Sequence, residues 1–167
     1  MAFGTRRSRV WTPHAIPFGL LIMLLGLWAF FAPLVGGYVN LGFASDATWQ
    51  FSSRQWELQL VPGLAAAAGG FMLMTPARGW GNLGVLLAFL AGAWLLVGPS
   101  FAPVFDGDPR PYGSEFMRAI RWIAHFYGPG GLILFLAGYA RGLFQRRTIV
   151  ERAPPVPVEE TRVTVPE

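Results

Sequence analysis

The stretch Gly26-Leu-Trp28-Ala-Phe-Phe-Ala-Pro33 ends the first long apolar run of the chain, and it returns as Gly92-Ala-Trp94-Leu-Leu-Val-Gly-Pro99. Both copies keep the pattern Gly-x-Trp-x4-Pro, and they lie 66 residues apart. A Pro-Gly pair follows each copy: Pro62-Gly63 opens the second apolar run, and Pro129-Gly130 lies within the fourth. Self-similarity at a fixed distance is typical of chains built from repeated units. The sequence therefore predicts two copies of a helical hairpin.

The composition places these hairpins in a membrane. Hydrophobic residues make up 53% of the 167 residues and charged residues only 13%, whereas a soluble domain carries about 25% charged residues. The chain has no cysteine, which excludes disulfides and thiolate metal sites. The net charge of +4 is explained by arginines that orient the helices in the bilayer, and no nucleic-acid partner is predicted.

The four apolar runs predict an all-α integral membrane four-helix bundle made of two parallel-repeat hairpins. The first run, about 20 residues at ~1.5 Å each, is long enough for the hydrocarbon core. Residues 145–167, rich in proline and glutamate, are predicted to form a disordered cytoplasmic tail. The predicted parts are an N-terminal cytoplasmic arm at 1–14, a transmembrane domain at 15–144 with spans at about 15–35, 58–75, 82–99 and 118–144, and that tail.

Small residues at helical spacing predict close packing between the second and third helices. Helices in lipid associate through close backbone approach and dispersion, because apolarity alone does not drive them together. The residues with this spacing are Gly84, Ala88, Gly92, Ala65 and Gly69. Gly92 is expected to lie against the second helix, and Leu95 is expected to face lipid.

The fourth run carries the strongest polar feature, since Arg118, Arg121 and His125 share a helical face. Pro129 has no N–H to donate to the carbonyl of His125, so a kink is expected there. In one interpretation the arginines snorkel to the headgroups and His125 bonds to backbone or water. In the other, the three residues contact an anion, a lipid headgroup or a protein partner.

The arginines also predict the orientation of the chain. With four spans both termini lie on one side, and nine of the 13 arginines lie there too. The positive-inside rule then makes both termini cytoplasmic. The four arginines predicted on the other side are Arg54, Arg110, Arg118 and Arg121.

The run Gly26-x-Trp28 ending in Pro33, followed by Gly42-Phe-Ala-Ser-Asp-Ala-Thr-Trp49 and a new apolar run, resembles the SPW repeat family. The resemblance covers residues 18–73 and, less fully, 84–104. The Ser-Pro-Trp triad itself is replaced by Ala32-Pro33-Leu34 and Gly98-Pro99-Ser100. The resemblance implies a small bacterial inner-membrane protein with two hairpins and no assigned catalytic role.

The sequence contains none of the common catalytic motifs, so no enzymatic activity and no cofactor are predicted. His14 and His125 are too far apart in the predicted topology to share a metal ion. The predicted role is a non-catalytic accessory, scaffold or assembly subunit of a membrane complex. Its predicted partners are the lipid bilayer and other membrane proteins or a second copy. The alternative is a small carrier or channel, or an anionic-lipid-binding protein, that uses Arg118, Arg121 and His125.

Overall fold

Four packed helical rods form an all-α structure, as the four apolar runs predict. The computed structural model describes residues 15–42, 49, 55–76, 78–101, 103–104, 111 and 113–152, with the backbone alone for 78 and 144–152. The α-helices are α1 (Ala15–Val35), α2 (Val61–Leu73), α3 (Arg78–Val97), α4 (Glu115–Trp122) and α5 (Gly128–Arg152). Short 3-10 segments, Gly36–Val39 and Gly98–Phe101, follow α1 and α3.

Two π turns complete the rods. The first π turn (Trp56–Leu60) leads directly into α2, and together they form the second rod. The second π turn (Ile123–Tyr127) joins α4 to α5 in a continuous fourth rod. At both places the backbone takes one extra residue per hydrogen-bonded turn.

Three of the rods are long and apolar enough to cross a membrane, namely the segments Ala15–Val39, Gly79–Phe101 and Glu115–Leu143. The second rod is shorter, and at ~1.5 Å per residue its 56–73 span covers about 27 Å of the ~30 Å hydrocarbon core. The chain is therefore a small multi-pass helical membrane protein.

The rods are arranged as a ring in chain order. The helix α1 packs on α2, α2 on α3, α3 on α5, and α5 closes the ring on α1. Neighbouring rods run antiparallel; on α1 and α2, for example, Gly19 lies against Gly70 and Gly26 lies against Gly63. The end of the bundle that carries the two 3-10 segments and the two π turns is called the loop end below.

Glycines bring α1 and α2 into backbone contact. A Cβ atom added to Gly26 would lie 2.8 Å from the carbonyl oxygen of Gly63, and one added to Gly19 would lie 2.7 Å from that of Gly70. Contacts this short leave no room for a side chain on either helix. Close backbone approach of this kind is how helices gain packing energy in lipid.

The seam between α2 and α3 uses the predicted small residues near the middle of both helices. A Cβ atom on Gly69 would lie 2.7 Å from the carbonyl oxygen of Gly84 and 3.2 Å from the Cβ of Ala88. Ala65 is partly buried and packs against the same core. Two predicted positions on α3 nevertheless face elsewhere.

The expectation that Gly92 lies against the second helix is wrong. A Cβ atom on Gly92 would lie 3.0 Å from the carbonyl oxygen of Gly130, so this glycine faces the fourth rod. Leu95, expected to face lipid, is fully buried and lies on the same side, next to Gly130. The reason is the 3.6-residue period, which rotates position i+8 by roughly 80° from position i. The face of α3 that starts against α2 at Gly84 has therefore turned toward α5 by Gly92.

The element boundaries agree with the sequence for α1 and differ for the other rods. The helix α1 ends at Val35 as predicted, α3 begins at Arg78 rather than 82, and the fourth rod begins at Glu115 rather than 118. The helix α5 continues to Arg152, past the predicted end at 144, because no proline interrupts it before Pro154. The prediction of a disordered tail is therefore wrong for residues 145–152, which are helical. The predicted arm at 1–14 and the rest of the tail, 153–167, lie outside the described residues.

Candidate functional site at the loop end

The buried polar side chains of the described part of the chain gather at the loop end of the bundle. Arg121 is 1% exposed, His125 is fully buried and Gln59 is 3% exposed. Arg121 ends α4, His125 lies in the second π turn, and Gln59 lies in the first. Polar groups inside a membrane bundle are costly, so their presence indicates a task that an apolar residue does not fulfil.

Arg121 holds the segment that follows α1. Its guanidinium Nη2 donates to the backbone oxygen of Asn40 at 3.1 Å and to the Asn40 side-chain Oδ1 at 3.2 Å. Asn40 has a left-handed backbone, with φ of 58°, and its N–H bonds to the carbonyl of Gly36. Asparagine tolerates this conformation better than most residues. The buried arginine thus fastens the end of the first 3-10 segment to the fourth rod.

His125 lies beneath the same segment. Its Nδ1 is 3.0 Å from the carbonyl oxygen of Arg121. Because a carbonyl only accepts, Nδ1 carries the hydrogen in this bond. The other ring nitrogen, Nε2, would lie 3.4 Å from a Cβ atom on Gly36, so the imidazole packs directly against the 3-10 segment.

Arg118 belongs to a different environment from Arg121. Its guanidinium pairs with Glu115 one turn earlier, and the Glu115 side chain is 91% exposed. Ser114 caps the same end of α4, since its hydroxyl accepts from the N–H of Met117 at 3.3 Å. The interpretation that both arginines snorkel to the headgroups is therefore wrong for Arg121, which points into the bundle. Contact between Arg118 and a lipid headgroup stays a prediction.

The second π turn is linked to Pro129 and to the indole of Trp28. The N–H of Gly128 bonds to the carbonyl of Ile123, five residues back. In that register the next carbonyl, Ala124, would pair with residue 129, but proline has no N–H. The indole Nε1 of Trp28 donates to the Ala124 oxygen instead, at 2.9 Å. An indole from α1 thus replaces the missing backbone donor of the fourth rod.

The same arrangement occurs at Pro62. The N–H of Val61 bonds to the carbonyl of Trp56, so Glu57 holds the carbonyl that would pair with residue 62. The indole Nε1 of Trp94 donates to that oxygen at 2.8 Å. We call these two bonds, Trp28 to Ala124 and Trp94 to Glu57, the indole caps. From the sequence, Pro129 was expected to deprive the carbonyl of His125 of its backbone donor. In the structure the carbonyl affected is that of Ala124, one residue earlier.

A longer repeat in the sequence would have singled out Arg121. Arg121 stands eight residues before Pro129, and Arg54 stands eight residues before Pro62. The repeated unit is therefore Arg-x7-Pro-Gly, and each copy spans one of the two π turns. Arg54 itself lies outside the described residues.

No group of three or more His, Cys, Asp or Glu side chains that could hold a metal ion occurs among residues the structure describes. The absence of a metal and of a cofactor stays a prediction. No protein-family model, curated protein or solved structure matches this chain.

Proposed function

We propose that the protein is a non-catalytic accessory subunit that presents a rigid surface at the loop end to another membrane protein. The observation that carries the proposal is the pair of hydrogen bonds from buried Arg121 to Asn40. A lipid-headgroup site would need this guanidinium at an accessible surface, whereas it is 1% exposed and bonded to Asn40. Here the charge is used to fix the shape of a loop.

The fixed segment displays apolar side chains. Tyr38 is 70% exposed and Val39 is 58% exposed, and both directly precede Asn40. Aromatic residues are enriched at the centres of protein interfaces. A surface that is held in one shape before binding loses less conformational entropy when a partner docks. The buried arginine therefore has a purpose that snorkelling does not give it.

The proposed setting is a bacterial inner membrane with both termini in the cytoplasm. The support is the count of nine arginines against four, together with the resemblance to the SPW repeat family. A phosphatase reporter fused after Gly107 should be active, and one fused after Arg147 should be inactive. The opposite pattern would place the loop end in the cytoplasm.

We also propose that the two halves are parallel repeats related by an axis along the membrane normal. Equivalent contacts support this. Gly26 faces Gly63, and Gly92 faces Gly130 in the same way. The indole caps exchange partners, since Trp28 of the first half reaches the second half and Trp94 of the second half reaches the first.

Site-specific photocrosslinking tests the accessory role. A photoreactive phenylalanine analogue replaces Tyr38 in the cell, and the products are separated after mild detergent extraction. We expect one discrete crosslinked protein band. The variant Arg121→Met, which keeps most of the volume but no donor, should reduce that band several-fold because Asn40 is no longer held.

The control places the same analogue at Phe135, which is 69% exposed in the middle of α5. That position should give no discrete protein product. A monomer without crosslinks at position 38, or the same products from both positions, would contradict the accessory role. An unchanged band in Arg121→Met would show that Arg121 is not needed to hold the partner surface.

A further inference from the structure

A groove runs between the second rod and α3 near the loop end. Its volume is about 410 Å³, within the range of small-molecule sites. Small residues, Pro62 and Ala65 on one side and Ala91 on the other, leave the space between the helices. Its rim includes Leu90, which is 57% exposed. The groove therefore opens on the outer face of the bundle, where the surroundings are hydrocarbon.

The end wall of the groove is held in place by an indole cap. Trp94 lines the groove, and its Nε1 is fixed on the Glu57 carbonyl at 2.8 Å. The indole ring is also stacked on Phe101, with centroids 6.1 Å apart and planes 4° from parallel. These two contacts hold the ring at the end of the groove. The groove is preformed, so an occupant does not have to open it.

The chemistry of the lining selects the occupant. Of the described residues that line the groove, Glu57 carries the one charge, and the others are apolar. The Glu57 side chain is exposed and lies at the loop end, where headgroups meet the bundle. An acyl chain fits the apolar part, and a carboxylate at the end of the groove attracts an ammonium and repels a phosphate diester without one.

We propose that this groove binds a phospholipid with an amine headgroup, with its acyl chain between α2 and α3 and its ammonium beside Glu57. The site is separate from the partner surface at Tyr38 and does not depend on the accessory role. It also gives the Trp94 cap a second consequence, because the same indole that completes the backbone shapes the lipid site.

Native mass spectrometry of the full chain from nanodiscs with equal amounts of phosphatidylethanolamine and phosphatidylglycerol tests the proposal. The parent should retain phosphatidylethanolamine preferentially. Glu57→Gln should lower that preference about two- to fivefold, the effect of one exposed ion pair. Ala65→Leu, which fills the groove, should lower retention of both lipids.

Two variants serve as matched controls. Glu115→Gln removes another exposed carboxylate, one that lies outside the groove, and Gly138→Leu adds bulk on α5 where a Cβ atom meets nothing within 4 Å. Neither should change lipid retention, and thermal melting confirms that all four variants are folded. Equal retention of the two lipids by the parent would overturn the proposal. So would an unchanged preference in Glu57→Gln, or equal losses in Ala65→Leu and Gly138→Leu.

Discussion

Replacing Gly26 with leucine should lower the free energy of unfolding of the bundle by about 3 kcal/mol, the upper part of the range for overpacking. The first atom of the new side chain would lie 2.8 Å from the carbonyl oxygen of Gly63 and closer still to the backbone nitrogen of Ala67. These are backbone atoms, which cannot move aside as a flexible side chain can. The helices α1 and α2 must therefore separate along the seam where they are closest.

Other glycines of the same bundle provide the scale for this effect. Gly92→Leu should be milder, since its nearest atoms stand at 3.0 Å, against 2.4 Å at Gly26. Gly138→Leu, with open space around the Cβ position, should be neutral or stabilising because leucine is the better helix former. Unfolding by sodium dodecyl sulfate in mixed micelles measures all three. Equal free energies of unfolding for Gly26→Leu and Gly138→Leu would contradict the close backbone contact between α1 and α2.

Replacing Trp28 or Trp94 with phenylalanine should each lower the free energy of unfolding by about 1–2 kcal/mol. Phenylalanine keeps a ring in place but has no N–H. The carbonyls of Ala124 and Glu57 would then have lost the indole donor, and Pro129 and Pro62 have no N–H to replace it. The same unfolding measurement applies to both variants.

Trp80→Phe is the matched control, because this ring is 55% exposed at the start of α3. It should change the free energy of unfolding by less than about 0.5 kcal/mol, as surface substitutions do. If the two indole caps are equivalent, Trp28→Phe and Trp94→Phe should lower the free energy of unfolding by similar amounts. A cost no larger than that of Trp80→Phe would contradict the role of the caps.

The rods could be predicted from the sequence because each depends on a local property, a run of apolar residues with a recognisable end. The first rod shows this best, since the structure places its end at Val35, where the apolar run also ends. The interruptions could not be predicted in the same way. Pro62 and Pro129 are visible in the sequence, but a proline alone indicates a kink. Here the backbone takes a π turn, and an indole from another helix supplies the donor.

The direction in which side chains point around each rod could not be predicted from the sequence either. Periodicity groups Arg118, Arg121 and His125, yet it does not say which neighbour that face meets. In the structure Arg121 turns inward to Asn40, and Arg118 pairs with Glu115 on the surface. Gly92 is a second example. A helix in a ring has two neighbours, and its small residues can pack against either one. The tertiary arrangement decides between them.

Hydrogen exchange of the indole N–H groups tests most directly whether Trp28 and Trp94 each complete the backbone of the opposite half. The seven tryptophans are labelled with 15N, their Nε1 resonances are assigned by substitution to phenylalanine, and exchange is followed in detergent micelles after transfer to deuterated buffer. We expect the Nε1 protons of Trp28 and Trp94 to exchange at least about tenfold more slowly than that of Trp80, as a bond of about 1.4 kcal/mol requires. Exchange of Trp28 and Trp94 as fast as that of Trp80 would contradict this expectation.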